Sequence, residues 1–160
     1  MGLDKNTITC VCTANICRSP MAEKLLEHAL RAEPVPLNSL KVVSAGVSAV
    51  DGEPPSANSV KALDKVGLEL KFHHSQQLTR QLVEDSALIL CMTESHRYFI
   101  DQMFPGHKTD VRLFRGLMPP EAGDQIPDPY GLSLRAYEAC RDSMVEAIPH
   151  ITRYLREKYL

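Results

Sequence analysis

A chain of 160 residues with 24% charged and 44% hydrophobic residues and a formal net charge of -2 reads as one folded domain over residues 1–160. It has neither the basic excess of a nucleic-acid binder nor the acidic excess of a disordered tail, and no run approaches the roughly 18 apolar residues that would span a bilayer. The opening MGLDKNTITC holds no apolar stretch of signal-peptide length, and five irregularly spaced cysteines argue against a secreted disulfide framework. The expectation is a cytoplasmic monomer without nucleic-acid or membrane partners.

In chain order, residues 7–12 (TITCVC) are β-branched and apolar, and 41–45, 87–92 and 110–114 are similar runs, so four strands are predicted. Between them Met21, Ala22, Leu25, Leu26, Ala29 and Leu30 recur at helical spacing. Val60, Leu63 and Val66 do so more weakly, and 94–104 is a third helical segment. Residues 133–158 carry Tyr137, Cys140, Met144, Ile148, Ile151 and Leu155 on one stripe, a long closing helix in which Pro149 predicts a kink. The order β-α-β-α-β-α-β predicts an α/β fold, a three-layer α/β/α sandwich around a four-stranded parallel sheet. Two connections rich in Gly and Pro, VSAVDGEPPSAN and RGLMPPEAGDQIPDPYG, are expected to be site-forming loops.

Cys10, Cys12 and Cys17 lie close together. A structural zinc site wants two closely spaced ligand pairs, which this irregular trio does not supply, so no metal is expected. Cys10, inside an apolar strand, reads as core. Cys12 ends that strand and is followed by a short loop, then by Arg18, Ser19 and a helix opened by Pro20. Strand, loop and helix N-terminus form an anion-binding geometry, to which Arg18 adds a planar fork suited to phosphate oxygens. The same dipoles and guanidinium favour thiolate, which makes Cys12 a nucleophile aimed at phosphorus.

The segment VCTANICRSPMAE resembles the signature of the low-molecular-weight protein tyrosine phosphatases of bacterial type, whose usual form is V-C-x-G-N-x-C-R-S-P. IPDPYG at 126–131 resembles the general-acid loop of that family, and VSAGVS, HHSQQLT, ALILCMTESH and the terminal helix extend the resemblance over essentially the whole chain. The fold it implies agrees with the strand and helix order read from the pattern.

By this resemblance Cys12 attacks phosphorus to form a phosphocysteine. Thr13, Ala14, Asn15, Ile16, Cys17 and Arg18 supply the phosphate-binding loop, and Asp128 is the general acid. Ser19 supports the thiolate, although a serine here is also a ready helix N-cap. Asn15 ties the loop together in a left-handed conformation, supported by Ser44 and His73, while His74 is left at the surface. Cys17 is a redox guard or a packing residue. Tyr130 and Ile16 line a cleft suited to a phenyl phosphate, so the implied partner is a phosphotyrosine protein, with no cofactor. Ala14 replaces the usual glycine and would resist a positive φ if the loop required one there.

Three alternatives differ in named features. A protein-arginine phosphatase of the same fold carries a polar Thr at the position of Ile16. A thiol-dependent arsenate reductase needs two further closely spaced cysteines, whereas Cys91 is alone on a predicted buried strand. A non-catalytic phosphate-binding redox sensor would have no use for Asp128.

Overall fold

In the computed structural model, which describes residues 5–160, alternation along β1 (Thr7–Cys12) decides where the two cores lie. The first four residues of the expected 1–160 domain lie outside the described residues. Because successive side chains of a strand point to opposite faces, Ile8, Cys10 and Cys12 enter one apolar cluster and Val11 enters the other. β1 pairs in parallel with β2 (Lys41–Gly46) on one side and with β3 (Ser86–Cys91) on the other, and β4 (Val111–Leu113) extends the sheet beyond β3. The four strands run in the order β2-β1-β3-β4, each crossover being made by helix-bearing chain.

On one face lie α1 (Arg18–Arg31), α2 (Ala57–Asp64) and α5 (Leu134–Tyr159), which close the larger core over Ile8, Leu88, Leu90 and Phe114. On the other, α3 (Arg80–Asp85) and α4 (Glu94–Met103) bring Val83 and Ile100 onto Val11, Ile89 and Cys91. The three-layer sandwich expected from the pattern is therefore present. Tyr137, Cys140, Met144, Ile151 and Leu155 are all buried, as the stripe on the last helix requires.

Two details differ from the sequence expectation. The short helix α3 escapes it, because six residues hold too few apolar positions for a period to emerge; its start is marked by Thr79, whose Oγ1 accepts from Leu82 N at 3.2 Å. α2 stops at Asp64, so Val66 lies past its end and is 47% exposed. α5 continues through Pro149 as one helix of 26 residues; Val145, whose carbonyl loses its usual donor there, is on the exposed side, where water can serve instead. The parallel sheet gathers the C-terminal ends of β1, β2 and β3 at one edge, where Cys12 pairs with Gly46 and β3 runs on towards Met92. That edge carries the site.

Candidate active site

β1 ends at Cys12 and α1 begins at Arg18, so the chain between them must turn within five residues. The carbonyls of this turn are tied to the surrounding protein. Cys12 O accepts from Val47 N at 3.0 Å, Thr13 O from Ser48 N at 2.9 Å, Asn15 O from His73 Nε2 at 2.8 Å, Ile16 O from Ser56 N at 2.9 Å and Cys17 O from Ser59 Oγ at 3.2 Å. Among the described residues no protein acceptor takes an amide N–H of residues 13–18. These donors are left for a ligand at the positive end of α1, a ready anion cradle.

Asn15 makes the turn possible. Its φ of 59° lies in the left-handed region, which asparagine tolerates better than most residues. Its side chain is held from three sides: Nδ2 donates to Ser19 Oγ at 2.8 Å and to Ser44 Oγ at 2.9 Å, and Oδ1 accepts from Gln76 N at 2.9 Å. Ser44 in turn donates to Glu23 Oε1 at 2.7 Å. His73, through its bond to Asn15 O, closes the same network from the loop before α3. Burial lowers the His73 pKa, an effect the bond to the Asn15 carbonyl opposes.

Cys12 is 2% exposed, with Sγ 3.0 Å from Ser19 Oγ. Since Ser19 already accepts from Asn15, its hydroxyl hydrogen is left for Cys12 Sγ or for the more distant Ala45 O at 3.4 Å. Ser19 is the second residue of α1, and the N-cap is Cys17, so the capping role open to Ser19 from sequence is not the one it has. Arg18, 4% exposed, donates from Nη1 to Ile126 O at 2.9 Å and from Nη2 to Thr13 Oγ1 at 3.5 Å. Its Nε is buried with no partner, which is costly unless an anion completes it.

Asp128 comes from the long loop after β4, with Oδ2 4.0 Å from Arg18 Nη2 and Oδ1 accepting from Tyr130 N at 3.0 Å. Two anchors hold this loop. Ile126, fully buried, donates its N–H to Met92 O at 2.9 Å and gives its carbonyl to Arg18. Arg115 spans the base, donating to Gly123 O at 3.0 Å, Ala122 O at 2.7 Å, Ser143 O at 2.9 Å and Glu146 Oε1 at 3.0 Å. A cavity of about 300 Å³ results, lined by Cys12, Thr13, Ala14, Ile16, Cys17, Arg18, Asp128 and Tyr130. Ile16 and Tyr130 are thus brought to one cleft, while Ser44 and His73 stand behind the loop.

All five cysteines are free and buried. Burial pushes the thiols of Cys10 and Cys91 up, and that of Cys140 up to about 12. Cys17 is raised by the same cause, against which the hydroxyl of Tyr137, 3.4 Å from its Sγ, acts to lower it.

A loop of unpaired amides around a thiol, an orphaned guanidinium N–H and a facing carboxylate match one known constellation. The sequence model of the low molecular weight phosphotyrosine protein phosphatases matches residues 7–159. The chain belongs to that family. It is 34% identical to a protein-arginine-phosphatase of Geobacillus stearothermophilus over 91% of this chain and 93% of that protein. It is 37% identical to the low molecular weight protein-tyrosine-phosphatase Wzb of Escherichia coli over 84% of each chain. Among solved structures, a Cys-to-Ser mutant of YwlE arginine phosphatase with a phosphorylated active-site serine superposes with a TM-score of 0.86 at 31% identity, covering 96% of this chain and 97% of that one. The family is one of cysteine-dependent phosphatases. Among the described residues no helix is long and apolar enough to cross a membrane.

Within this phosphatase fold, the departure at Ala14 is accommodated. Among the described residues Asn15 is the non-glycine residue with positive φ, and Ala14 needs no such conformation. The strict requirement for glycine lies elsewhere, at Gly46: a Cβ there would meet Thr13 O at 2.4 Å and Asn15 N at 3.0 Å. The end of β2 can approach the phosphate loop only because that side chain is missing. Sequence reading passed over Gly46 although it stands in VSAGVS, since a glycine at a strand end looks like punctuation.

It also passed over His96, which is 2% exposed. His96 Nε2 lies 2.9 Å from Thr13 Oγ1, and Nδ1 accepts from Thr93 N at 3.2 Å. Burial first, then the charge of Arg18, push its pKa down to about 4, so the ring is neutral at physiological pH.

Proposed function

We propose that this phosphatase hydrolyses phosphotyrosine monoesters of proteins through a phosphocysteine on Cys12. The observation that carries the proposal is the single bond of Cys12 Sγ to Ser19 Oγ at 3.0 Å, inside a loop whose amides have no protein acceptor. The Cys12 thiolate attacks phosphorus in line, and the scissile P–O bond breaks as Asp128 gives its proton to the leaving oxygen. The loop amides and Arg18 take the charge on the equatorial oxygens. Water then attacks the phosphocysteine, Asp128 accepts its proton, and the thiolate departs, assisted by the Ser19 hydroxyl. Cys12→Ser is expected to abolish turnover of p-nitrophenyl phosphate while still binding inorganic phosphate; hydrolysis at the native rate would overturn the mechanism.

Ile16 and Tyr130 favour an aromatic ester, because both line the cavity and Asp128 is the sole carboxylate among its lining residues. The second reading, phosphoarginine, draws support from relatives of that activity at comparable identity. One pocket residue shifts discrimination by only about 1–3 kcal/mol. Comparing kcat/KM on phosphotyrosine and phosphoarginine peptides decides between them, and a preference for phosphoarginine rejects the first. Arsenate reduction finds little support, since Cys91 is sealed at 0% exposure. Cys17 is assigned as the partner that would trap an oxidised Cys12 as a disulfide. The free buried thiols support a reducing, cytoplasmic setting, and the protein is taken to act as a monomer.

A further inference from the structure

Thr13 lines the cavity, and nothing in the mechanism above uses its side chain. Its hydroxyl oxygen has two neighbours, His96 Nε2 at 2.9 Å and Arg18 Nη2 at 3.5 Å. The state of His96 is fixed by its other nitrogen. A backbone N–H can only donate, so Nδ1, which receives the Thr93 N–H, carries no proton, and the neutral ring holds its proton on Nε2. His96 therefore donates to Thr13 Oγ1, and so does Arg18, which has no acceptor to offer. With two donors pointing at its oxygen, the Thr13 hydroxyl must send its own hydrogen elsewhere. It shares the cavity wall with Cys12, Arg18 and Asp128, where the oxygens of a bound phosphoryl group would lie.

We propose that the Thr13 hydroxyl is an additional hydrogen-bond donor to the phosphoryl group, and that His96 is the positioning residue that fixes it as a donor. This rests on the phosphatase reading of the site. His96 acts only through Thr13, from α4, a different element from those carrying Cys12 and Asp128. A hydroxyl free to rotate would spend part of its time accepting from Arg18 with its hydrogen turned away. One held by His96 meets the oxyanion without reorganising.

The experiment compares Thr13→Val, Thr13→Ser, His96→Asn and the Thr13→Val/His96→Asn double variant. It reads inorganic phosphate affinity by calorimetry, kcat and KM on p-nitrophenyl phosphate, and the thermal midpoint. Thr13→Val is expected to weaken phosphate binding about tenfold, the effect of one hydrogen bond to a charged group, and Thr13→Ser to restore it. Asparagine can still accept from Thr93 N but is too short to hold Thr13, so His96→Asn is expected to weaken phosphate similarly, with a lower midpoint from the shortened buried side chain that the calorimetry on folded protein separates from the loss of affinity. The double variant should be no worse than Thr13→Val alone. Phosphate affinity of Thr13→Val equal to that of the parent overturns the proposal, as does full additivity in the double variant. A parent protein that binds phosphate yet turns over no phosphomonoester would reject the phosphatase reading instead, leaving the phosphate measurements to decide on Thr13. Should His96→Asn fail to fold, the Thr13 pair alone decides.

Discussion

Asn15 Nδ2 donates to Ser19 Oγ at 2.8 Å, and this bond sets the direction of the next one. With its oxygen accepting from Asn15, Ser19 has its hydrogen available to Cys12 Sγ 3.0 Å away, and a thiolate so bonded is a better leaving group. Removing that hydrogen should act on breakdown of the phosphoenzyme more than on its formation. Ser19→Ala is expected to lower kcat by roughly 10- to 100-fold, as loss of a hydrogen bond to a charged group would, with little change in phosphate affinity. Rapid-quench kinetics would show a larger burst of p-nitrophenol as phosphocysteine accumulates. An unchanged kcat would mean the Ser19 hydroxyl belongs to the loop scaffold alone.

Much of this network was readable before the structure, for a physical reason. Cys12 and Arg18 stand at the two ends of one short turn, between β1 and α1, whose function depends on local backbone geometry, so spacing carries them, while the role of Ser19 came with the family resemblance. Asp128, Ser44 and His73 were reached through the family resemblance, because no local pattern links them to Cys12. Gly46 and His96 went unread because their roles exist only across the sheet: Gly46 matters for the side chain it lacks, and His96 for a hydroxyl on another element. The sheet order followed from strand and helix alternation. The short α3 did not, since helical periodicity needs more than the six residues of Arg80–Asp85.

The buried neutral His96 should leave a mark on stability against pH. Its folded pKa lies near 4 against an ordinary 6.5, so the unfolded chain takes up the proton first. The stability associated with this residue is full above about pH 6.5, falls as pH drops towards 4, and levels off below. The loss is on the order of 3 kcal/mol at pH 4, and His73, shifted in the same direction, adds to it. Urea unfolding at a series of pH values should therefore show a steeper decline for the parent than for His96→Asn. Parallel curves would mean that His96 titrates in the folded protein as it does unfolded.

Asp128 and Arg115 bear on the same chemical step in different ways, and leaving-group dependence separates them. Asp128 supplies a proton, so Asp128→Asn should matter most where the leaving oxygen is basic. Turnover of phenyl phosphate is expected to fall about 10²- to 10⁴-fold, the usual range for a general acid, and turnover of esters with acidic phenols much less. Arg115 supplies no proton. It ties Ala122 and Gly123 at the base of the loop to Ser143 and Glu146 on α5, so Arg115→Met frees the loop that carries Asp128 while leaving the carboxyl in place. Its effect is expected to show as a lower kcat and a lower thermal midpoint, with the loss of bonds to the half-buried carbonyls of Ala122 and Ser143 contributing most, since Glu146 and Gly123 are exposed and can turn to water. A plot of log kcat/KM against leaving-group pKa should be steep for Asp128→Asn and keep a slope between that and the parent's for Arg115→Met. A slope for Arg115→Met identical to the parent's would mean that Ile126, held by Met92 and Arg18, fixes the acid unaided.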